Sequence, residues 1–230
     1  MPTSADICDR IIEATLARKL APGAHLGEVQ LATLFACSRT VVREALTALA
    51  ARRIVEVTAR RGWFLVQPDA EDAQATFEAR RAIETGVLRC ARAVSPGAVE
   101  ELRAHVQRQR DALANDDAGL RSTLLGDFHV CLARALGGPL LAAILRDLTV
   151  RTTLVAMHHQ SPQEAEASCA EHAAIVDALA AGDLAAAESA MAAHLGTWDR
   201  KLHVPPRAHG LAALRHALQP AAPQAIVPIS

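Results

Sequence analysis

The stretch from Ser38 to Leu49 constrains this chain more than any other, because it combines a helix cap, an apolar stripe and a face suited to an anion. Val42, Ala45, Leu46 and Leu49 recur at the i, i+3, i+4, i+7 spacing of one buried stripe, while Arg39, Thr40, Arg43 and Thr47 occupy the other face. Ser38 predicts the N-cap, which sets free amides and the positive end of the helix dipole beside both arginines. Such an end suits a phosphate or a base edge. Alone, an amphipathic helix with two arginines is most often a solvated surface helix, so the flanks decide. Upstream, Val29, Leu31, Ala32 and Leu34 predict a short helix that ends near Ala36 and Cys37, leaving room only for a tight turn. Downstream, Ile54–Thr58 and Trp63–Val66 are β-branched or aromatic runs separated by Ala59-Arg60-Arg61-Gly62. The pattern predicts a helix-turn-helix followed by a two-stranded wing with Arg60 and Arg61 at its tip.

Leu20-Ala21-Pro22-Gly23, Leu26, Glu28, Leu31-Ala32, Ser38-Arg39-Thr40, Val42-Arg43-Glu44-Ala45-Leu46, Leu49 and Arg61-Gly62 form an ordered string over about residues 5 to 67. That string resembles the GntR family of bacterial transcription regulators and is far more specific than a lone helix-turn-helix. The resemblance implies DNA contacts from Ser38, Arg39, Thr40 and Arg43, with Gly62 letting the wing approach the DNA backbone. Two positions depart from it: Val41 stands where the family very often has proline, and Val29 where some members place a DNA-contacting arginine.

Composition agrees with a mainly α chain of two modest domains, since 230 residues are 51% hydrophobic but only 3% aromatic, as close-packed alanine-rich helices require. The net charge of −1 is unevenly shared. Residues 1–68 carry nine Lys/Arg against six Asp/Glu, and residues 69–230 carry fifteen against nineteen, so the basic excess sits with the recognition helix. Five scattered cysteines without a Cys-x-x-Cys pair predict reduced thiols and a cytoplasmic protein. The start lacks a basic leader and no apolar run approaches membrane-spanning length, so neither export nor a membrane partner is expected.

Residues 4–19 predict the first helix, closed by Pro22-Gly23. Pro68 ends the wing, and the expected domains are 1–68 (winged helix-turn-helix) and 69–204 (antiparallel six-helix bundle), with a Pro/Ala-rich tail at 205–230. Breaks at Ser95-Pro96-Gly97, Asn115-Asp116-Asp117, Gly137-Gly138-Pro139, His158 to Pro162 and Gly182-Asp183 separate the six helices, and Ser161-Pro162-Gln163-Glu164 is a capping box.

Inside the predicted bundle, His129 shares a stripe with Leu125, Leu132 and Leu136, His172 with Ile175, Val176 and Leu179, and His194 with Ala187, Met191 and Trp198. An inward histidine is most often a hydrogen-bonded core residue, and spacing alone leaves open whether the three meet. Phe128-His129, Glu171-His172, Ala178-Leu179 with Gly182-Asp183, and Met191 with His194-Leu195 resemble the FCD ligand domain of FadR-type GntR regulators. The resemblance implies that the three histidines bind a divalent transition metal, zinc or nickel, which with nearby arginines receives the carboxylate of a small organic acid. The family usually adds Asp or Asn one helical turn before the first histidine. Here Leu125 holds that place and Asp127 lies roughly 200° around the helix, so water and effector would complete the shell. A metal-free pocket is the alternative.

Two arginines fall on apolar stripes: Arg80 beside Phe77, Ile83 and Val87, and Arg151 beside Ile144, Leu148, Leu154 and Val155. A buried arginine requires an anion, either an internal acid such as Glu84 or Asp147, or a ligand carboxylate. Both are candidate effector contacts, Arg80 more so because its Phe-Glu-x-Arg-x-x-Ile-Glu run resembles the start of the FCD domain. The expected function is a ligand-responsive, operator-binding homodimer rather than an enzyme. The alternative from another class is a metal-dependent hydrolase using the same three histidines.

Overall fold

In a computed structural model, which describes residues 2–159 and 161–201, the chain is a winged helix-turn-helix joined to an antiparallel six-helix bundle. The tail expected at 205–230, with its helical segment at Leu211, Leu214 and Leu218, lies outside the described residues. The N-terminal elements are α1 (Ser4–Leu16), α2 (Glu28–Leu34), α3 (Arg39–Ala51), β1 (Val55–Thr58) and β2 (Gly62–Leu65). Helix α1 stops short of the expected Lys19, because Ala17 caps it and Arg18 takes a left-handed φ of 56°. A capping box between Thr3 and Asp6 starts it.

Ser38 caps α3 as its sequence position predicts, its hydroxyl accepting from the Val41 amide at 3.3 Å. Val42, Ala45, Leu46 and Leu49 are all fully buried against Ile7, Ile11 and Ile12 of α1, burial that contributes about 1.5–3 kcal/mol for each large side chain. In α2 only Leu31 and Ala32 pack on this core, while Val29 and Leu34 are exposed. In the wing, Val55 pairs with Leu65 and Thr58 with Gly62. Arg60 (φ 64°) and Gly62 (φ 93°) together make its left-handed turn. The segment 23–26 runs along β2, the Leu26 amide donating to the Trp63 carbonyl at 2.8 Å and the Leu65 amide to Ala24 at 2.9 Å.

The bundle comprises α4 (Ala70–Cys90), α5 (Pro96–Ala114), α6 (Ala118–Gly137), α7 (Pro139–His159), α8 (Pro162–Ala180) and α9 (Leu184–Lys201). Asp69, Ser95, Asp117 and Ser161 cap α4, α5, α6 and α8 with side-chain hydrogen bonds. Helices α6 and α7 approach closely at Gly126, where an added Cβ would stand 2.8 Å from Thr149 Cγ2. Gly126→Ala is therefore expected to cost about 1–3 kcal/mol by overpacking, read as a lower denaturant midpoint at unchanged slope.

Val150 and Leu154 of α7 complete the core of the helix-turn-helix rather than that of the bundle. Polar bonds follow the same seam: Arg52, the C-cap of α3, donates through Nε to Asp147 at 3.0 Å, and Arg146 donates to Asp9 at 3.0 Å. Among the described residues, no helix is long and apolar enough to cross a membrane.

Candidate nucleic-acid interface and metal centre

The exposed face of α3 carries Arg39, Thr40 and Arg43, with the Ser38 cap at its N-terminus. Glu28, the first residue of α2, gathers both arginines: it accepts from Arg39 Nη2 at 3.0 Å, from Arg43 Nε at 2.9 Å and from Trp63 Nε1 at 3.1 Å. Hydrogen bonds from Arg43, Arg39 and Trp63 hold its carboxylate down at about 2. One acid thus ties α2, the recognition helix and the wing together, and orients two side chains that are each 60% exposed. Arg60 and Arg61 lie exposed at the wing tip, with the Arg61 guanidinium over the Phe64 ring at 5.2 Å. The spacing of the sequence marked the arginines, but nothing in it assigns Glu28 this role.

In the bundle, α6, α8 and α9 bring His129, His172 and His194 together, each at least 96% buried. Their Nε2 atoms converge: His194 Nε2 lies 3.3 Å from that of His172 and 3.3 Å from that of His129. Every Nδ1 faces outward to a partner: Glu84 for His129 at 2.5 Å, Gln109 Oε1 for His172 at 3.0 Å, and Glu171 for His194 at 2.6 Å. Nδ1 therefore carries the proton and Nε2 its lone pair. Burial, then Arg80, lowers His129 to about 4, and burial with the neighbouring histidines holds His172 well below the usual range, so both rings are neutral near pH 7.

Three lone pairs facing one point repel unless a cation or proton lies between them. Two nitrogens about 2.0–2.1 Å from one tetrahedral ion lie about 3.3–3.4 Å apart, which matches the 3.3 Å separations here. The donor set fits a borderline divalent ion such as zinc or nickel. Leu125 stands one turn before His129, 7% exposed, and supplies no ligand.

Beside His129 and His194 is a hollow of about 50 Å³, lined by Arg80, Ser122, Thr149, Thr152, Thr153 and Trp198 among others. Arg80 is 4% exposed; its Nε donates to Glu84 at 2.8 Å and Nη1 to Thr152 Oγ1 at 2.8 Å, while Nη2 is buried without a hydrogen-bond acceptor. Although burial alone pushes the Glu84 carboxyl up, Arg80 and His129 hold it at about 2. Glu84, one of the two internal acids considered, thus serves both Arg80 and His129. Asp147, the other internal acid considered, is bonded to Arg52. Arg151 is half-buried and does not line the hollow, because α7 turns Thr149, Thr152 and Thr153 to it, and Arg151 lies about 100° from Thr152 around the helix.

Two further features were not legible from spacing. Arg18 donates to Ser122 Oγ at 3.1 Å and to the Ala156 carbonyl at 3.3 Å, so the end of α1 is bonded to two residues that line the hollow. Behind His172, Gln109 and His105 continue the hydrogen-bonded chain to Asp127 and Cys131. The hydrogen bond from His105 holds Asp127 below the usual carboxylate range, and burial pushes the Cys131 thiol up to about 12.

Comparison with known proteins agrees with this architecture. Residues 3–65 match the model of bacterial regulatory proteins of the gntR family, and residues 75–197 match the FCD domain. An HTH-type transcriptional regulator in an unstable DNA locus of Streptomyces ambofaciens is 35% identical over 198 residues, covering 83% of this chain and 80% of that protein. The HTH-type transcriptional regulator LutR of Bacillus subtilis is 31% identical over 204 residues, covering 77% and 90%. The crystal structure of a GntR transcriptional regulator from Rhodococcus sp. RHA1 superposes with a TM-score of 0.76 at 23% identity, covering 86% and 96%, and so shares the fold. Recognition helix, wing and helical bundle thus lead to one conclusion: the chain is a DNA-binding transcription regulator that belongs to the GntR family and carries an FCD domain.

Proposed function

We propose that the chain is an effector-responsive regulator acting in the cytoplasm as a homodimer, in which each recognition helix enters one half-site of an operator and the bundle binds a small carboxylic acid. Ser38, Arg39, Thr40 and Arg43 contact the major groove, and Arg60, Arg61 and Gly62 bring the wing to the adjacent backbone. His129, His172 and His194 hold a divalent metal, with Glu84, Gln109 and Glu171 fixing the ring orientations. Bound there, the ion supplies a Lewis-acidic position for a carboxylate oxygen.

The observation that carries the effector reading is the free Arg80 Nη2, buried at the edge of the hollow beside His129 and His194. An unpaired buried guanidinium nitrogen favours an anion, and a hollow of only about 50 Å³ leaves no room for a long acyl chain. Arg80→Lys retains a cation for Glu84 but removes the second amino group. A thermal-shift screen of hydroxy acids, dicarboxylates and amino acids is expected to give a hit that stabilises the wild type by RT ln(1 + [L]/Kd) and the variant much less. Equal stabilisation of both, or no hit, would sink the effector assignment. The hydrolase alternative is not favoured. Glu84 and Glu171 both sit on the Nδ1 side of the ligating rings, and no carboxylate lines the hollow among the described residues.

Coupling to DNA runs through α7, whose threonines line the hollow while Val150 and Leu154 pack into the helix-turn-helix core, and through Arg18. Arg18→Ala is expected to leave operator and effector affinities separately near wild type while reducing the factor by which each alters the other, normally worth about 1–3 kcal/mol. Operator titrations with and without the screen's hit measure it; undiminished coupling would remove Arg18 from the path.

A further inference from the structure

We propose that His105, Asp127 and Cys131 form a second cation site, for a thiophilic divalent ion such as zinc or cadmium, and that Gln109 makes its occupancy and that of the three-histidine centre mutually exclusive. The second half of this inference rests on the three-histidine reading; the first does not.

One nitrogen, one oxygen and one sulfur donor lie within 4.8 Å of one another at this cluster. His105 Nε2 is 3.3 Å from Asp127 Oδ2, and Cys131 Sγ is 3.4 Å from the same oxygen. Ligand atoms of a tetrahedral N/O/S site are about 3.3–3.6 Å apart, so the set can close on an ion with small movements. Asp127 and Cys131 lie one turn apart on α6, which fixes their spacing, and His105 enters from α5, 1% exposed. The Asp127 side chain is 45% exposed, giving an ion a way in from solvent. A thiol in the set selects a borderline or soft cation over magnesium or calcium.

The exclusion follows from hydrogen-bond direction. Gln109 Oε1 accepts from His172 Nδ1 at 3.0 Å, and Gln109 Nε2 donates to His105 Nδ1 at 3.1 Å and to the Leu124 carbonyl at 3.5 Å. In this arrangement His172 presents a bare Nε2 to the metal centre, and His105 carries its proton on Nε2, donating to Asp127. An ion at the second site takes that Nε2 lone pair. The Cys131 proton leaves to solvent, and the imidazole proton of His105 moves to Nδ1. Gln109 must then turn its carboxamide to present oxygen to His105 and nitrogen to His172. His172 now accepts on Nδ1 and carries its proton on Nε2, so it no longer ligates. One amide serves one site at a time.

Cadmium is the probe, because the sulfur-free three-histidine centre gives no thiolate-to-cadmium charge-transfer band in the ultraviolet, and loss of the band in Cys131→Ser assigns it to the second site rather than to the other four free thiols. The full chain, stripped with chelator, is titrated as wild type, His194→Ala and His194→Ala/Cys131→Ser. His194→Ala is expected to show the band with one cadmium per chain, the double variant to lack it, and the wild type to reach its midpoint at about tenfold or more higher cadmium. No band in His194→Ala, or a band that survives Cys131→Ser, overturns the site. Equal midpoints in wild type and His194→Ala overturn the exclusion. Circular dichroism checks folding, and His129→Gln replaces His194→Ala should that chain not fold. Zinc uptake by Cys131→Ser separates the two readings: if it takes up none, the three-histidine centre fails while the band still tests the thiol site.

Discussion

Arg39→Ala/Arg43→Ala is expected to lower operator affinity by about 2–6 kcal/mol, since a bidentate arginine contact contributes about 1–3 kcal/mol. Both side chains extend from the first turns of α3, where the Ser38 cap and the helix dipole favour negative charge. Both are bonded to Glu28, so contact with DNA must exchange or share that carboxylate. The arginines stay positioned but lose little on transfer to a base edge or phosphate. Gel shifts on matched and scrambled duplexes separate the two uses: loss confined to the matched duplex assigns base readout, whereas equal loss with a shallower salt dependence assigns phosphate contact. Unchanged binding by the double variant would take the recognition role away from α3. Because Val42, Ala45, Leu46 and Leu49 remain untouched, the fold is expected to hold, with only a small fall in thermal midpoint from the lost bonds to Glu28.

His172→Ala is expected to reduce transition-metal affinity by more than 100-fold, whereas Glu84→Gln, which keeps all three rings but weakens the shared partner of His129 Nδ1 and Arg80, is expected to cost about 10- to 100-fold. Competition with a coloured chelator near neutral pH measures both. A ratio near one between the variants would mean that the rings do not ligate. The alanine also removes a ring stacked on Phe128 at 4.0 Å and the donor to Gln109, so the chelated variant is expected to lose about 2–4 kcal/mol of stability. Comparing both proteins with metal removed isolates that packing cost from the ligand loss. The screen's hit is then expected to stabilise neither chelated protein as well as the metal-loaded wild type.

Periodicity and punctuation in the sequence determined the elements. The Ser38 cap, the stripe Val42 to Leu49, the left-handed turn before Trp63 and every break between bundle helices are local features, written in neighbouring residues by capping, φ preference and amphipathic spacing. The inward direction of His129, His172 and His194 is local too, since helical phase fixes a side chain's face. Whether three helices meet is not local, and only packing placed the Nε2 atoms 3.3 Å apart. Partner choice was likewise decided by tertiary structure: Asp147 went to Arg52 across the seam, Glu84 came to serve both Arg80 and His129, and Glu28 came to hold two arginines and a tryptophan. Helix α1 ended early because Arg18 leaves the helix to reach Ser122, 104 positions along the chain. The reason is common to all of these: a helical stripe records which way a residue points, but an ion pair or a hydrogen-bonded chain depends on what stands opposite, and that is set by how the helices cross.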